Sequence, residues 1–473
     1  MPTGDWLSAQ AVLHALQLVE HELTLFALFW FIIGAADELA IDAIWLWLRA
    51  TGRATTPRLP KSYSPAPLDG PTAVFFPAWR EAEVIGHAIS HTLTAWPQEA
   101  LRIYVGCYPN DAATVRSAVH GIGGDARVRV VILDKAGPTT KADCLNRLYA
   151  ALAADEKRYG ERFRGVILHD AEDMVHPAGL DLIARALREV DFVQLPVRPE
   201  PMPGSPMVAG HYCDEFAETH AKGLVVRNAL GAAIPAAGVG CGFRRSVLDT
   251  LAAIRADEGE NGPFAAECLT EDYELGWLIA RLGGSSRFLR MRDTEGELVA
   301  TRAYFPGTIP AAVRQKTRWV HGIAFQSWDR LGWSRRPVDV WMALRDRRAP
   351  LTAFVLAAAY LLVAIWFVQA LARSAGWQGG AEPNPYWRAM LWTAFVALAW
   401  RTGMRTAFTA REYGLVEGLR SIPRTVVANA IAILASRRAI LAYFRSLRGA
   451  PVTWDKTVHT LHPSRPTECE AAA

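Results

Sequence analysis

The sequence predicts a mixed α/β domain, a mostly parallel sheet covered by helices, flanked by apolar segments long enough to enter a membrane. Three observations predict it. Between residues 72 and 335, short runs rich in β-branched or aromatic residues alternate with polar or Ala-rich helical stretches, the pattern of strands joined by crossover helices. The run Val166-Ile-Leu-His-Asp170-Ala-Glu172-Asp173 passes from apolar residues straight into three carboxylates, as a buried strand does where its carboxyl end meets a ligand. The 473 residues are 51% hydrophobic with 17 Trp, rich for a water-soluble chain, and the surplus lies towards the two ends.

Strands are expected over 72–76, 102–106, 128–133, 165–169 and 191–195, and helices over 83–94, 141–157 and 179–190. The Pro-rich stretch 57–71 reads as a linker into this domain, which occupies 72–335 and is followed by a basic membrane-proximal segment, 336–349. Segments 351–371 and 387–408 are each long enough to cross a bilayer core of about 20 apolar residues, so 350–408 reads as two transmembrane helices. At the amino end (1–48) a third span runs over 12–36. Asp37, Glu38 and Asp42 are costly in lipid, which places them at the membrane surface with an interfacial helix through Leu48.

Charge orients this frame. Residues 1–48 contain no Lys or Arg, whereas Arg49, Arg53, Arg58 and Lys61 follow at once, and Arg335, Arg336, Arg345, Arg347 and Arg348 crowd the approach to Leu351. The positive-inside rule then puts the central domain in the cytoplasm. Segment 425–444 is apolar but contains Arg437 and Arg438. It reads as a helix on the cytoplasmic surface within an interfacial region and tail, 409–473, with a fourth span as the alternative. No basic n-region or small-residue cleavage site opens the chain, so a removable signal peptide is not expected. The six cysteines lack metal-type Cys-x-x-Cys spacing and are expected to be free thiols. The net charge of +4 comes from residues beside the membrane segments, which favours membrane lipid headgroups over nucleic acid.

The chemistry-bearing residues fall at predicted strand and helix ends. Three carboxylates, Asp170, Glu172 and Asp173, can hold a hard divalent ion, which prefers oxygen ligands; a solvated turn is the alternative. The loops Pro77-Ala-Trp-Arg-Glu81 and Cys107-Tyr-Pro-Asn-Asp111 each supply a carboxylate that can accept from nucleoside hydroxyls or N–H groups, although helix capping also explains them. Lys141-Ala-Asp-Cys-Leu-Asn146 opens a helix, where a Lys and free backbone N–H groups suit a phosphate. In Thr270-Glu271-Asp272, before an amphipathic helix over 273–282, Asp272 can take a proton from an attacking hydroxyl, and an N-terminal cap is the alternative. Gln315, Arg318 and Trp319 share one helical face by their spacing; Arg can hold a departing diphosphate and an indole can stack on a sugar ring.

Taken in order, Pro77…Glu81, Asp111, Lys141…Asn146, Asp170-Ala-Glu172-Asp173, Thr270-Glu271-Asp272 and Gln315…Arg318-Trp319, between membrane segments, resemble the processive family-2 glycosyltransferases, the group of cellulose and hyaluronan synthases. The resemblance implies an inverting enzyme of GT-A fold. Glu81, Asp111 and Lys141 would hold the uridine nucleotide, and Asp170 with Glu172 or Asp173 a Mg²⁺ or Mn²⁺ ion. Asp272, beside Glu271, would be the base, and Gln315, Arg318 and Trp319 would close the acceptor site. Gly238-Val-Gly-Cys-Gly has the wrong spacing for a dinucleotide fingerprint; in this family it would be a tight turn lining the acceptor cavity.

A narrower likeness rests on Tyr108-Pro-Asn-Asp111, Gly137-Pro-Thr-Thr-Lys-Ala-Asp-Cys-Leu-Asn146, His169-Asp-Ala-Glu-Asp173 and Trp454-Asp-Lys-Thr457-Val-His459. These are similar to the bacteriophage-adsorption type of inner-membrane glycosyltransferase, whose members make a secreted exopolysaccharide that phages exploit. It implies a UDP-sugar donor, with UDP-N-acetylmannosamine foremost and UDP-N-acetylglucosamine next, a growing polysaccharide acceptor, and an outer-membrane export partner. Many members carry a C-terminal cyclic di-GMP domain, for which a chain ending at Ala473 leaves no room. The alternatives are a single-addition transferase acting on a lipid phosphate and a catalytically silent scaffold or phage-docking protein.

Overall fold

The computed structural model describes residues 9–376, 385–449 and 461–464. Its first element, α1 (Ala9–Ala50), is one unbroken helix, where the sequence suggested a span ending near Ala36 and a separate interfacial helix. The acids at the supposed break have cationic partners. Asp37 and Glu38 face Arg345 and Arg348, and Asp42 accepts from Lys222 Nζ at 2.6 Å and Trp400 Nε1 at 2.8 Å. Paired in this way, they no longer force the helix to end at a water boundary.

The α/β domain starts with β1 (Thr72–Pro77), α2 (Ile85–Ala95), β2 (Leu101–Cys107), α3 (Ala112–Ile122), β3 (Val128–Ile132), α4 (Lys141–Tyr159), β4 (Gly165–Leu168), α5 (Gly179–Ala186) and β5 (Phe192–Gln194). These are the expected strands, all buried on both faces except β3 at the edge. Side chains alternate across the sheet with the two-residue period of a strand. Val74, Phe76, Ile103, Val105 and Ile167 meet α2 and α5, while Ala73, Phe75, Tyr104, Val166 and Leu168 meet α4. The long helix α4 has strong local signals at both ends, a Thr140/Asp143 capping box and a left-handed Gly160 at φ +68°.

There follow β6 (Val197–Pro199), α6 (Gly210–Glu218), α7 (Leu224–Ala229), β7 (Cys241–Arg244), α8 (Arg245–Asp257), α9 (Glu271–Arg281), β8 (Ser286–Phe288) and β9 (Thr301–Ala303). The seven-stranded sheet has the order β3-β2-β1-β4-β7-β5-β8, and β6 pairs with β9 beside it. All pairs are parallel except those of β7, which runs antiparallel between β4 and β5. The sequence pattern hid β7, a four-residue strand containing Gly242, which could carry no β-carbon without meeting Ile183. The Gly238-Val-Gly240 turn feeds it, with φ of +74° and +57° at the two glycines, a conformation that L side chains resist.

The chain then enters α10 (Ile309–Val320), a π-helical turn (His321–Gln326), α11 (Ser327–Leu331), α12 (Pro337–Arg347), α13 (Ala349–Ser374), α14 (Pro385–Tyr413) and α15 (Leu415–Ser446). Among the described residues, three helices are long and apolar enough to cross a membrane: the His14–Ala50 part of α1, α13 and α15. α14, expected to span over 387–408, falls short because Arg388 and Arg401 bracket its charge-free stretch. Its end reaches the α/β domain through Tyr413 Oη on Pro199 O (2.7 Å) and Glu412 on Arg290 and Arg292 (2.6 Å each). The five described cysteines are free and buried. Cys469 and the 454–459 motif lie outside the described residues.

Candidate active site

Three loops at the carboxyl ends of β1, β2 and β3 are knitted together. Asn110 exchanges two 2.8 Å hydrogen bonds with the Gly137 backbone, Tyr108 Oη meets Thr139 Oγ1 at 2.8 Å, and Trp79 packs edge-to-face on Tyr108. Pro77, the last residue of β1, is buried. Asp111 caps α3 by accepting from Thr114 N (3.3 Å) and also accepts from Arg80 N at 2.6 Å. The capping alternative therefore holds for Asp111, which fixes the loop carrying Glu81. Glu81 is 3% exposed, with its backbone N–H held by Thr114 Oγ1 at 2.9 Å. Asn146, expected among the substrate-binding residues, has its amide on both backbone groups of Phe264, at 2.8 and 3.0 Å. It braces the loop that leads to α9.

At the end of β4 the three acids part company. Asp173 is buried and turned inward, its Oδ2 accepting from Asp170 N and meeting His169 Nδ1, both at 2.9 Å. Burial, with the charges of Asp170 and Glu172, pushes the Asp173 carboxyl well above the usual range, and burial lowers His169 to about 3. The Asp173 carboxylate oxygen is spent on Asp170 N and His169, inside the fold. Asp170 and Glu172 keep partial exposure instead. Among the described residues no cluster of three or more His, Cys, Asp or Glu stands ready to cage an ion. That suits Mg²⁺ or Mn²⁺ held by one or two carboxylates together with substrate phosphates and water, and Asp170 with Glu172 is such a donor set.

A charged cluster lies beside this loop. Lys141 Nζ sits 2.6 Å from Asp170 Oδ1. Burial works against its ammonium, yet Asp170, Glu271 and Asp272 outweigh it and raise its pKa. Glu271 and Asp272 form the first turn of α9, where the helix dipole favours anions. Burial nevertheless raises both, and the charge of Asp272 pushes Glu271 further, to about 8. The turn at Gly238 closes over them. A β-carbon there would stand 3.2 Å from Lys141 Nζ and press on the Asp272 carboxyl.

Gln315, Arg318 and Trp319 lie on α10. Gly322, a turn beyond Arg318, lies so close to Thr270 that a β-carbon there would meet its side chain, which ties α10 to the start of α9. Gln326 Oε1 accepts from Leu269 N at 3.0 Å, and Arg330 grips Glu274 at 2.7 and 2.8 Å. Trp319 packs among Tyr212, Phe216 and Phe305, and Lys316 pairs with Glu215. The sequence reading named none of the α6 residues of this brace.

Residues 69–322 match the family model described as "Glycosyltransferase like family 2". The chain is 32% identical over 454 residues to Bacteriophage adsorption protein B of Escherichia coli strain K12, and equally to Bacteriophage N4 adsorption protein B of Escherichia coli O157:H7. The alignment covers 90% of this chain and 60% of each relative. So the chain spans about three fifths of the length of the curated relatives it matches. Among solved structures, the mannosyltransferase PcManGT of Pyrobaculum calidifontis, in complex with GDP-Man and Mn²⁺, aligns with a TM-score of 0.53 at 16% identity, over 90% of this chain and 99% of its own. That likeness carries the GT-A fold. The family match extends over more than half of the chain and takes in the strand ends, Lys141, Asp170 and Asp272; the chain is a family-2 glycosyltransferase.

Proposed function

We propose that this enzyme is an inverting, processive transferase. It takes a UDP-sugar, foremost a UDP-N-acetylhexosamine such as UDP-N-acetylmannosamine, extends an exopolysaccharide, and passes the polymer through its own membrane helices across a bacterial inner membrane to an outer-membrane export partner. The observation that carries the reading is the convergence of Lys141, Asp170, Glu271 and Asp272 under the Gly238 turn, a base and a diphosphate anchor at one strand end. Glu81 and the loop fixed by Asp111 hold the nucleoside. Asp170 and Glu172 would hold Mg²⁺ or Mn²⁺, which neutralises charge on a diphosphate leaving group. Lys141 adds a second positive charge at the diphosphate, and Asp272 removes the proton from the acceptor hydroxyl as it attacks. Arg318 steadies the departing UDP and Trp319 packs the acceptor sugar. The adsorption-protein relatives, at 32% identity, support an exopolysaccharide product.

The test is to incubate the full chain in nanodiscs with UDP-glucose, UDP-N-acetylglucosamine and UDP-N-acetylmannosamine plus Mn²⁺, reading UDP release and product mass. Long acetamido polymers are the expected result. A single added sugar on lipid refutes processivity, and no UDP release from any donor refutes a UDP-sugar reaction.

A further inference from the structure

We propose that His462 is a positioning residue for the Asp170–Asp173 loop, so that the metal-side geometry of the active site depends on a tail segment 289 residues away in sequence. The proposal rests on the glycosyltransferase reading given above. His462 is 1% exposed, and its Nε2 donates to the Asp173 carbonyl at 3.2 Å. The tautomer follows from its other nitrogen. Nδ1 accepts from Ser464 N at 3.2 Å and lies 2.6 Å from Ser464 Oγ, so the ring proton sits on Nε2. The ring also packs near His87 and His91 of α2, with centroids 6.4 Å away in each case.

The contact completes a pattern. His91 Nε2 meets the Val175 carbonyl and Trp96 Nε1 donates to the His176 carbonyl, both at 2.9 Å. Three carbonyls of the segment after β4 are therefore held by ring N–H groups, two from the α2 region and one from the tail. Inside the loop, Asp173 holds Asp170 N. His462 holds the same residue from outside, so its loss frees the hinge that aims Asp170 and Glu172.

His462→Leu and His462→Gln in the full chain test this by hydrogen exchange and Mn²⁺ titration. A side-chain amide can replace the ring donor and leucine cannot. In the Leu variant, amides of residues 170–174 are expected to exchange about three- to tenfold faster, as loss of one hydrogen bond implies. Half-saturating Mn²⁺ for UDP release should rise by a similar factor with little change in kcat at saturating metal. The Gln variant should stay near wild type. Wild-type exchange at 170–174 in the Leu variant overturns the proposal, as does acceleration spread over the whole domain. A wild-type chain that releases no UDP would instead refute the functional reading, while the exchange result still judges the loop.

Discussion

The α-carbon of Gly238 lies against the carboxyl of Asp272, with room for a hydrogen and nothing larger: an added β-carbon would stand 3.1 Å from Asp272 Cγ and closer still to its oxygen. The turn and the proposed base are therefore one packed unit. Gly238→Ala should lower kcat at least about 100-fold by displacing Asp272, while the strain of a left-handed alanine costs stability by only about 1–2 kcal/mol. UDP release and a thermal melt check both parts. Near-normal turnover would mean that the carboxyl does not need its present position.

Asp272→Asn removes the proton acceptor and keeps the shape. Transfer should fall about 10²- to 10⁴-fold, the range for a lost general base. UDP affinity by calorimetry should change little, because the loops proposed to hold the nucleotide are at the ends of β1 and β2. Polymer made at the wild-type rate would remove Asp272 from the role of base.

Burial raises both Glu271 and Asp272, and their like charges oppose each other. A base must be deprotonated to act, so the acid limb of kcat/KM should lie above the ordinary aspartate range, with activity lost as pH falls through it. Glu271 is pushed up by burial and the Asp272 charge, to about 8, so it ionises after Asp272, and Glu271→Gln should leave the acid limb where it is. A limb that moves to lower pH would show that Glu271 is already an anion when Asp272 titrates.

The sheet was legible because its strands are buried on both faces and their composition announces it; β7 was not, since two positive-φ glycines and a four-residue strand leave no period to read. The charged centre was legible as types in order, Lys141, Asp170 and Asp272. Which carboxylate faces outward was not. That choice depends on His169, whose ring nitrogen takes Asp173 inward. Asn146 misled for a related reason: its partner, the Phe264 backbone, is 118 residues away.

The two acids after β4 should accordingly respond differently. Asp170→Ala should abolish Mn²⁺-dependent UDP binding, and EDTA should reproduce the loss in the wild type. Asp173→Ala leaves Asp170 N and His169 without their partner, so it should lower stability by about 1–3 kcal/mol and retain the Mn²⁺ requirement. Calorimetric UDP titrations with and without Mn²⁺ distinguish them. If Asp173→Ala loses metal dependence while its melting temperature stays unchanged, Asp173 is the ligand after all.

The last prediction concerns topology. α1 and α13 run antiparallel, joined at one level by Trp366 and Gln369 on Glu20 (2.7 and 2.6 Å) and at the other by Arg345 and Arg348 on Asp37 and Glu38. Those levels are 17 residues apart on α1, about 25 Å along a helix, close to a bilayer core. α14 starts near the first level, where Trp387 lies 5.2 Å from His21, and ends on the catalytic domain. On that placement we propose α14 as a span despite its arginines. α15 is the more apolar, yet both of its ends touch the domain: Arg424 is 3.0 Å from Asp214, and Tyr443 Oη is 2.7 Å from Asp329. We propose accordingly that α15 lies along the domain on the cytoplasmic surface. With Cys469 replaced by Ser, a cysteine at Gly376 should react with a membrane-impermeant thiol reagent in intact cells. One at Gly449 should react only after lysis. Labelling at Gly449 in intact cells would show that α15 crosses the membrane, and would also separate His462 from the loop it is proposed to hold.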